Sequence, residues 1–138
     1  MKTYLEWWDT FQGEEIIGID QDGIDKNYLE YSQNEIENLI SDGLTESIER
    51  NFKQFCCWMN SGDYVIIGTG QQTKFNISGI CRVEDDYTFD LNFYPRHIRK
   101  VKFLKIFNDP IPLQRFARVA RLELIDEIDF QESIISLL

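Results

Sequence analysis

The sequence predicts an α+β fold in which about five or six strands form a small twisted barrel or sheet, with roughly three or four helices packed mostly on its outside. Three observations support this class. Short β-branched runs are bounded by turn-forming residues, two segments of helical spacing begin at capping residues, and residues 99–107 alternate charged and apolar side chains. The 138 residues contain no internal repeat or low-complexity tract, so we expect a single domain over 1–138.

The chain is expected to begin with a short helix and a buried strand. Apolar side chains recur every three residues over 5–11, which favours a helix that turns Trp8 inward and Trp7 elsewhere. Residues 14–19 form a β-branched run that stops at the turn-rich segment 20–23, as a buried strand entering a loop does. Because loops that follow core strands often carry ligands, this loop is a candidate binding element.

Two further helices are predicted from their caps. Ser32 and Glu35 form an S-x-x-E capping box ahead of apolar residues at helical spacing, and Gly43 ends that segment. The next helix begins at Thr45 and carries an apolar stripe over 48–59. We interpret this stripe as packing against the core rather than as a binding surface.

The middle of the chain is predicted to consist mostly of strands. Turn residues separate the runs of β-forming residues, and the strands predicted from them are 63–68, 75–83, 87–90 and 99–107. The first two form a hairpin with a polar tip at 69–74. In the last strand, Val101 and Phe103 are expected to face inward and the lysines outward, because successive side chains of a strand point to opposite faces.

The C-terminal part is predicted to leave the sheet. Pro110 and Pro112 are expected to end the strand, since proline donates no hydrogen bond to a ladder and restrains the residue before it. A short helix is expected over 113–119, followed by a closing helix with apolar side chains over 129–138.

The sequence lacks the residue patterns that several kinds of functional site require. Cys56, Cys57 and Cys81 show no C-x-x-C spacing, so we expect neither a disulfide framework nor a zinc site, and we expect a reducing cytoplasm. His97 is the only histidine, and we expect it to be neutral and structural or phosphate-binding rather than catalytic. Nucleotide-binding glycine loops and apolar runs of about 18 residues do not occur. We therefore expect no enzymatic activity, metal, cofactor or membrane span.

Charge is divided unevenly along the chain. The formal net charge is −10, yet residues 1–49 hold 13 acidic residues and two lysines, whereas residues 96–121 hold eight cations and one acidic residue, Asp109. The first segment therefore carries −11 and the second +7. A polyanion can bind locally despite the overall sign. The alternative is that both blocks are solvated surface, which is common.

Aromatic residues precede the basic segment. They are Tyr87, Phe89, Phe93 and Tyr94, followed by Arg96, Arg99 and Lys100. Aromatic faces can stack on an unpaired base while cations hold the flanking phosphates, which is how readers of flipped and single-stranded bases divide these contacts. The alternative is that the rings fill a β-core.

Three blocks in this order resemble the EVE-type domains of the PUA and YTH superfamily, especially those that precede the McrB-type GTPase of modification-dependent restriction systems. The blocks are Trp8–Phe11 with Ile16–Asp20, then Phe52–Val83 with its Gly62-Asp63 hairpin, then Tyr87–Asp90 with Tyr94–Phe103. The similarity covers about residues 8–113.

The resemblance implies a domain that flips a modified base of double-stranded DNA into an aromatic pocket, while GTPase and nuclease domains or subunits supply motion and cleavage. The base-pocket candidates are Ile19, Asp20, Trp58, Tyr87, Phe89 and Tyr94, of which Trp58 lies outside the position that the family's motif matches. The phosphate-binding residues that it implies are Arg96, Arg99, Lys100, Lys102 and Lys105. Ile19 stands where the family has a tryptophan, so the stacking face must come from elsewhere; the candidates are Tyr87, Phe89, Trp7 and Trp58.

Other interpretations stay open at this point. PUA and YTH relatives also read RNA, so an RNA reader is one alternative. The acidic first third could instead bind a basic partner, which would make the chain a protein-interaction module such as an anti-restriction decoy. Asp20 itself could accept a hydrogen bond from a base amino group or cap its own turn.

Overall fold

The structure is a computed structural model that describes residues 4–69, 74–114, 122, 125 and 128–138. Its elements in chain order are α1 (Tyr4–Glu14), β1 (Ile16–Ile19), α2 (Gln33–Ser41), α3 (Glu46–Lys53), β2 (Tyr64–Thr69), β3 (Lys74–Val83), β4 (Thr88–Phe89), β5 (His97–Gln114) and α4 (Ile128–Ile135). A 3₁₀ turn (Tyr28–Glu30) precedes α2, and α3 continues as a π-helical turn (Gln54–Trp58). The α+β class is confirmed, with five strands in one antiparallel sheet and four α-helices in the described part of the chain.

Strand β5 is the centre of the sheet, whose order is β1-β5-β3-β2. Its first residues pair with β1 on one side and with β4 on the other, and from Val101 onward it pairs with β3. Register shifts interrupt the pairing of β3 with both of its neighbours. Such bulges add twist to a sheet, and this sheet curls into a half-barrel.

Each face of the sheet has its own core. The larger core lies between the sheet and helices α1 and α3, and it includes the buried residues Phe52 and Val83. The smaller core lies under α4, where Ile80 of β3 packs with Phe130 and Ile134. Because successive side chains of a strand point to opposite faces, β3 contributes to both cores.

Helix α1 packs closely on the sheet at Gly79. A Cβ atom there would lie 2.6 Å from Cη2 of Trp8 and 3.2 Å from the carbonyl oxygen of Lys105, so a larger residue requires α1 to move. The rings of Trp8 and Phe103 have centroids 5.5 Å apart. The inward direction predicted for Trp8 is therefore confirmed, although its indole is only partly buried.

The predicted caps of α2 and α3 are both present. Ser32 Oγ accepts a hydrogen bond from the Glu35 N–H, and Glu35 Oε1 accepts one from the Ser32 N–H, each at 3.1 Å. Thr45 Oγ1 accepts from the Ile48 N–H at 3.2 Å. Gly43 follows α2 at φ +122°, a conformation that glycine adopts without a steric penalty. The signals that predicted the ends of these helices act as expected.

The prediction that Pro110 and Pro112 end the strand is wrong. β5 continues through both of them to Gln114, and Pro112 pairs with Asn76 of β3. Among the described strands, this stretch of β5 has a neighbour on one side only. A residue without an N–H group is tolerated there because it can take a position whose N–H would face away from the partner strand.

The hairpin predicted over 63–83 is formed by β2 and β3, and its tip at 70–73 lies outside the described residues. Residues 113 and 114 belong to β5, so the helix predicted over 113–119 does not begin where expected. The rest of that segment, with its cations Arg115 and Arg118, lies outside the described residues, as does Arg121. The predicted closing helix is confirmed as α4, and among the described residues no helix has the length and apolarity of a membrane span.

Candidate functional site

The ends of three strands meet at one end of the sheet. Ile19 of β1 and Phe89 of β4 both pair with His97, the first residue of β5. Directly paired residues of antiparallel strands project to the same face, so the three side chains form a row, which we call the sheet-end row. The Phe89 and His97 rings have centroids 5.0 Å apart. Ile19 and Phe89 are half-buried, whereas His97 is fully buried.

His97 is held by hydrogen bonds on both ring nitrogens. Nε2 lies 2.8 Å from the Ile24 carbonyl oxygen, which can only accept, so Nε2 carries the proton. Nδ1 lies 2.6 Å from the Tyr87 hydroxyl and accepts from it, while the Tyr87 oxygen accepts from the Tyr28 N–H at 3.0 Å. Every group is satisfied with a neutral imidazole. Burial also lowers the pKa of His97, which favours the same neutral form.

Directly beyond the sheet-end row, Asp20 and Arg96 form an ion pair. Arg96 donates from Nη2 to Asp20 Oδ1 at 2.5 Å, and its backbone N–H donates to Oδ2 at 2.8 Å. The Gln21 N–H donates to Oδ1 at 2.8 Å. The side chain of Asp20 is 3% exposed and that of Arg96 is 18% exposed. Burial alone would raise the pKa of Asp20, but the hydrogen bonds from Arg96 hold it below its usual range.

This ion pair changes the roles expected for both residues. The carboxylate of Asp20 already accepts bonds from Arg96 and from its own turn, so the turn-capping interpretation is supported. Arg96 uses Nε, Nη2 and its backbone N–H, and its Nη1 makes no hydrogen bond within the described part of the chain. A donor for a base or a phosphate therefore remains on Arg96 rather than an acceptor on Asp20.

Arg99 is not available for the phosphate contact that the resemblance implies. Its side chain is 2% exposed, and its guanidinium donates to three backbone carbonyl oxygens. Nη1 donates to Phe55 at 3.1 Å and to Met59 at 2.7 Å, and Nη2 donates to Asp85 at 3.0 Å. These bonds fix the π-helical turn and the β3–β4 loop to β5, so Arg99 has a structural role.

Lys100, Lys102 and Lys105 are exposed along β5 and remain open to an anion. Trp58 is 54% exposed, and its ring contact within the described residues is with Lys53, whose Nζ lies 5.7 Å from the ring. The structure therefore does not bring Trp58 to the sheet-end row.

The exposed ring of Tyr94 lies against α1. Its centroid is 5.2 Å from that of Trp7, which is partly buried. Of the two tryptophans that could replace the family's stacking residue, Trp7 is thus the one next to a candidate pocket residue. The contact joins residues 7 and 94, which are too far apart in the chain for a local sequence pattern to predict it.

Sequence reasoning missed Tyr28, which supports the site from the loop after β1. Its backbone N–H binds the Tyr87 hydroxyl, and its own hydroxyl donates to Glu49 Oε1 at 2.7 Å. No short-range pattern connects residues so far apart in the chain. In the described ranges, no cluster of three or more His, Cys, Asp or Glu side chains could hold a metal ion.

One family model matches the chain over residues 6–124, and its description is "Domain of unknown function (DUF8426)". The matched range begins within α1 and extends beyond the end of β5, so it contains the whole of the site described above. No curated protein and no solved structure matches the chain.

Proposed function

The chain belongs to the family described as Domain of unknown function (DUF8426), and for this member we propose a non-catalytic DNA-binding function. In this proposal an unstacked, modified base is held at the sheet-end row, in the cytoplasm, as part of a modification-dependent restriction system. The GTPase and the nuclease of that system would belong to other domains or subunits. The curled sheet with helices on it is compatible with the EVE-like fold that the sequence resembles.

The sheet-end row is the observation that supports this proposal most. Ile19 and Phe89 project from strands on either side of β5, so their Cα atoms are about 10 Å apart, twice the spacing of neighbouring strands. A planar base would stack on the partly exposed ring of Phe89. His97 lies behind that ring, fully buried against Phe52 at a centroid distance of 4.8 Å and hydrogen-bonded to Tyr87, so the stacking surface is rigid before binding.

Polar contacts would come from Arg96. Asp20 fixes the guanidinium in place, and Nη1 makes no hydrogen bond within the described part of the chain. A preoriented donor of this kind suits a base carbonyl or a flanking phosphate, because little conformational entropy is lost when it binds.

The test is fluorescence anisotropy with labelled duplexes that differ at one base: unmodified, N6-methyladenine, 5-methylcytosine or hydroxymethylcytosine. We expect one modified duplex to bind more tightly than the unmodified one. Phe89→Ala should weaken that binding by about 1 to 3 kcal/mol, the contribution of one stacked base, and remove the preference. Leu29→Ala, at an exposed position of the 3₁₀ turn, is the control and should change neither value.

Equal binding of all four duplexes at low salt would contradict the proposal. A matched RNA oligonucleotide that displaces the preferred DNA would instead identify the chain as an RNA reader.

A second candidate function, binding of a basic protein, is favoured by the exposure of α2. This helix has no buried residue, and Glu37 and Asp42 are both exposed. Charge reversal at these two positions should abolish capture of the basic partner but not DNA binding. Glu35 is unsuitable for this experiment because it belongs to the capping box.

A further inference from the structure

A cationic and aromatic row crosses the outer face of the sheet, away from the sheet-end row. Tyr64 of β2 pairs with Arg82 of β3, and Arg82 pairs with Lys102 of β5. The next pair along, Val83 with Val101, is buried in the larger core. Because side chains alternate along a strand, Tyr64, Arg82 and Lys102 all point to the opposite face, which also carries the smaller core at Ile80 and which we call the outer face.

This outer face is open where the row lies. Tyr64 is 57% exposed, Arg82 is partly exposed, and Lys102 is exposed. Lys100 is also exposed and lies two residues along β5 from Lys102, so it shares the face at a distance of about 7 Å. We call Tyr64, Arg82, Lys100 and Lys102 the outer basic row.

The outer basic row places like charges directly opposite each other. Arg82 and Lys102 are cross-strand partners, an arrangement that destabilises a sheet. Glu84 offsets part of this, since its Oε1 lies 3.3 Å from Arg82 Nη2. Lys100 and Lys102 form no ion pair with any described residue. An anion that approaches this face would relieve the repulsion.

We infer that the outer basic row binds the sugar–phosphate backbone of a nucleic acid. This inference rests on the proposed function and adds a second contact surface to it. Two lysines on one face of an extended strand present charges at a regular spacing, as the phosphates of one nucleic acid strand do. The Tyr64 ring beside them offers a flat surface for a sugar or base. The net charge of −10 repels a polyanion from much of the remaining surface, which directs it to this row.

The two surfaces would have separate tasks. His97 and Val101 are buried on one side of β5, and Lys100 and Lys102 are exposed on the other. Contacts to phosphates fix position without reading sequence, whereas the sheet-end row would distinguish the base. Removing the outer basic row should therefore weaken binding equally for modified and unmodified DNA.

The experiment measures anisotropy across a salt series with the triple variant Arg82→Gln, Lys100→Gln and Lys102→Gln. The probes are the labelled duplexes and an abasic oligonucleotide of equal length. If all three cations contact phosphates, the slope of log K against log salt should be shallower by about 2.7, that is about 0.9 for each contact. Arg50→Gln, which removes one exposed cation from α3, is the control and should leave the slope unchanged.

Glu84→Gln should change the affinity for the abasic probe in the opposite direction. It removes the acidic partner of Arg82, so the abasic probe should bind more tightly. Unchanged or weaker binding of that probe would count against the outer basic row.

The outcomes separate this inference from the proposed function. If the triple variant keeps the wild-type salt slope, the inference is wrong even when modified bases are still preferred. If the triple variant binds the abasic probe with the expected shallower salt slope, but the wild type shows no preference among the duplexes, the inference stands and the proposed function fails. If poly-glutamate displaces the abasic probe at equal charge concentration, the row is a site for acidic protein, and the inference is overturned. Absence of any binding at low salt overturns both.

Discussion

The sheet end and the outer face both draw cations from the short segment 96–102, and the environments of these cations differ. At the sheet end, Arg96 is paired with Asp20, and behind it Arg99 is buried against backbone carbonyls. On the outer face, Lys100 and Lys102 have no described ion pair. A basic segment can therefore be half structural and half accessible, and its total charge does not reveal the division.

The residue types explain this division. Arginine presents five N–H donors in a planar fork, so one buried side chain can satisfy several oxygens at once. Arg99 does this with the carbonyls of Phe55, Met59 and Asp85. Lysine carries a compact, strongly hydrated charge, which favours exposed positions. In this segment, Arg99 is a structural cation, Arg96 is held by an ion pair but keeps one donor, and the two lysines are accessible.

The largest expected effect comes from removing the buried cation. Arg99→Met keeps an extended apolar stem but leaves three carbonyl groups without their donors, so the free energy of unfolding should fall by about 3 to 5 kcal/mol. Urea unfolding followed by circular dichroism measures this change. Lys102→Met is the matched control on the same strand, and a comparable loss there would remove the distinction between the two groups of cations.

A smaller effect on the free energy of unfolding is expected from pH, and it should come from His97 at the sheet end. Burial lowers the pKa of His97, whereas in the unfolded chain a histidine has its ordinary pKa of about 6.5. Below that pH the unfolded state binds the additional proton, so the free energy of unfolding should decrease as pH falls, by up to about 1.4 kcal/mol per unit.

Urea unfolding between about pH 7.5 and 5.5 tests this dependence, and His97 as the only histidine makes the result simple to interpret. Lys102→Gln should show the same pH slope as the wild type, because Lys102 is exposed on the opposite side of β5 from His97. A constant stability over the window would mean that the folded imidazole takes up a proton as easily as the unfolded one.

The smallest expected effect is a gain on the outer face. Lys102→Gln removes the like charge opposite Arg82, so the free energy of unfolding should rise slightly, by about 0.2 to 0.5 kcal/mol. The gain should diminish at high salt, where the repulsion is screened. A loss of stability would instead show that the lysine contributes to the fold, as the two arginines do.

The sequence predicted those parts of the fold that depend on near neighbours. The Ser32 and Thr45 caps and the β2–β3 hairpin each need residues only a few positions apart, and all are present. The continuation of β5 through Pro110 could not be predicted in the same way. It depends on which edge of the strand lacks a partner, which is a property of the assembled sheet.

Several of the candidate site residues lie close together in the structure, but their contacts could not be predicted from the sequence. Ile19, Tyr87 and Phe89 do converge around His97. The pairing of Asp20 with an arginine 76 positions away is set by tertiary structure, and no local pattern contains it. The burial of Arg99 is of the same kind, because the carbonyls that bind it come from two other parts of the chain.

The contact of Trp8 with Gly79 has an evolutionary consequence. An indole on one element occupies the space that a side chain on the other would need, so the two positions share one fixed volume. Within the DUF8426 family, a member with a larger residue at the position of Gly79 should have a smaller one at the position of Trp8. Substitutions at these two positions are therefore expected to co-vary among family members.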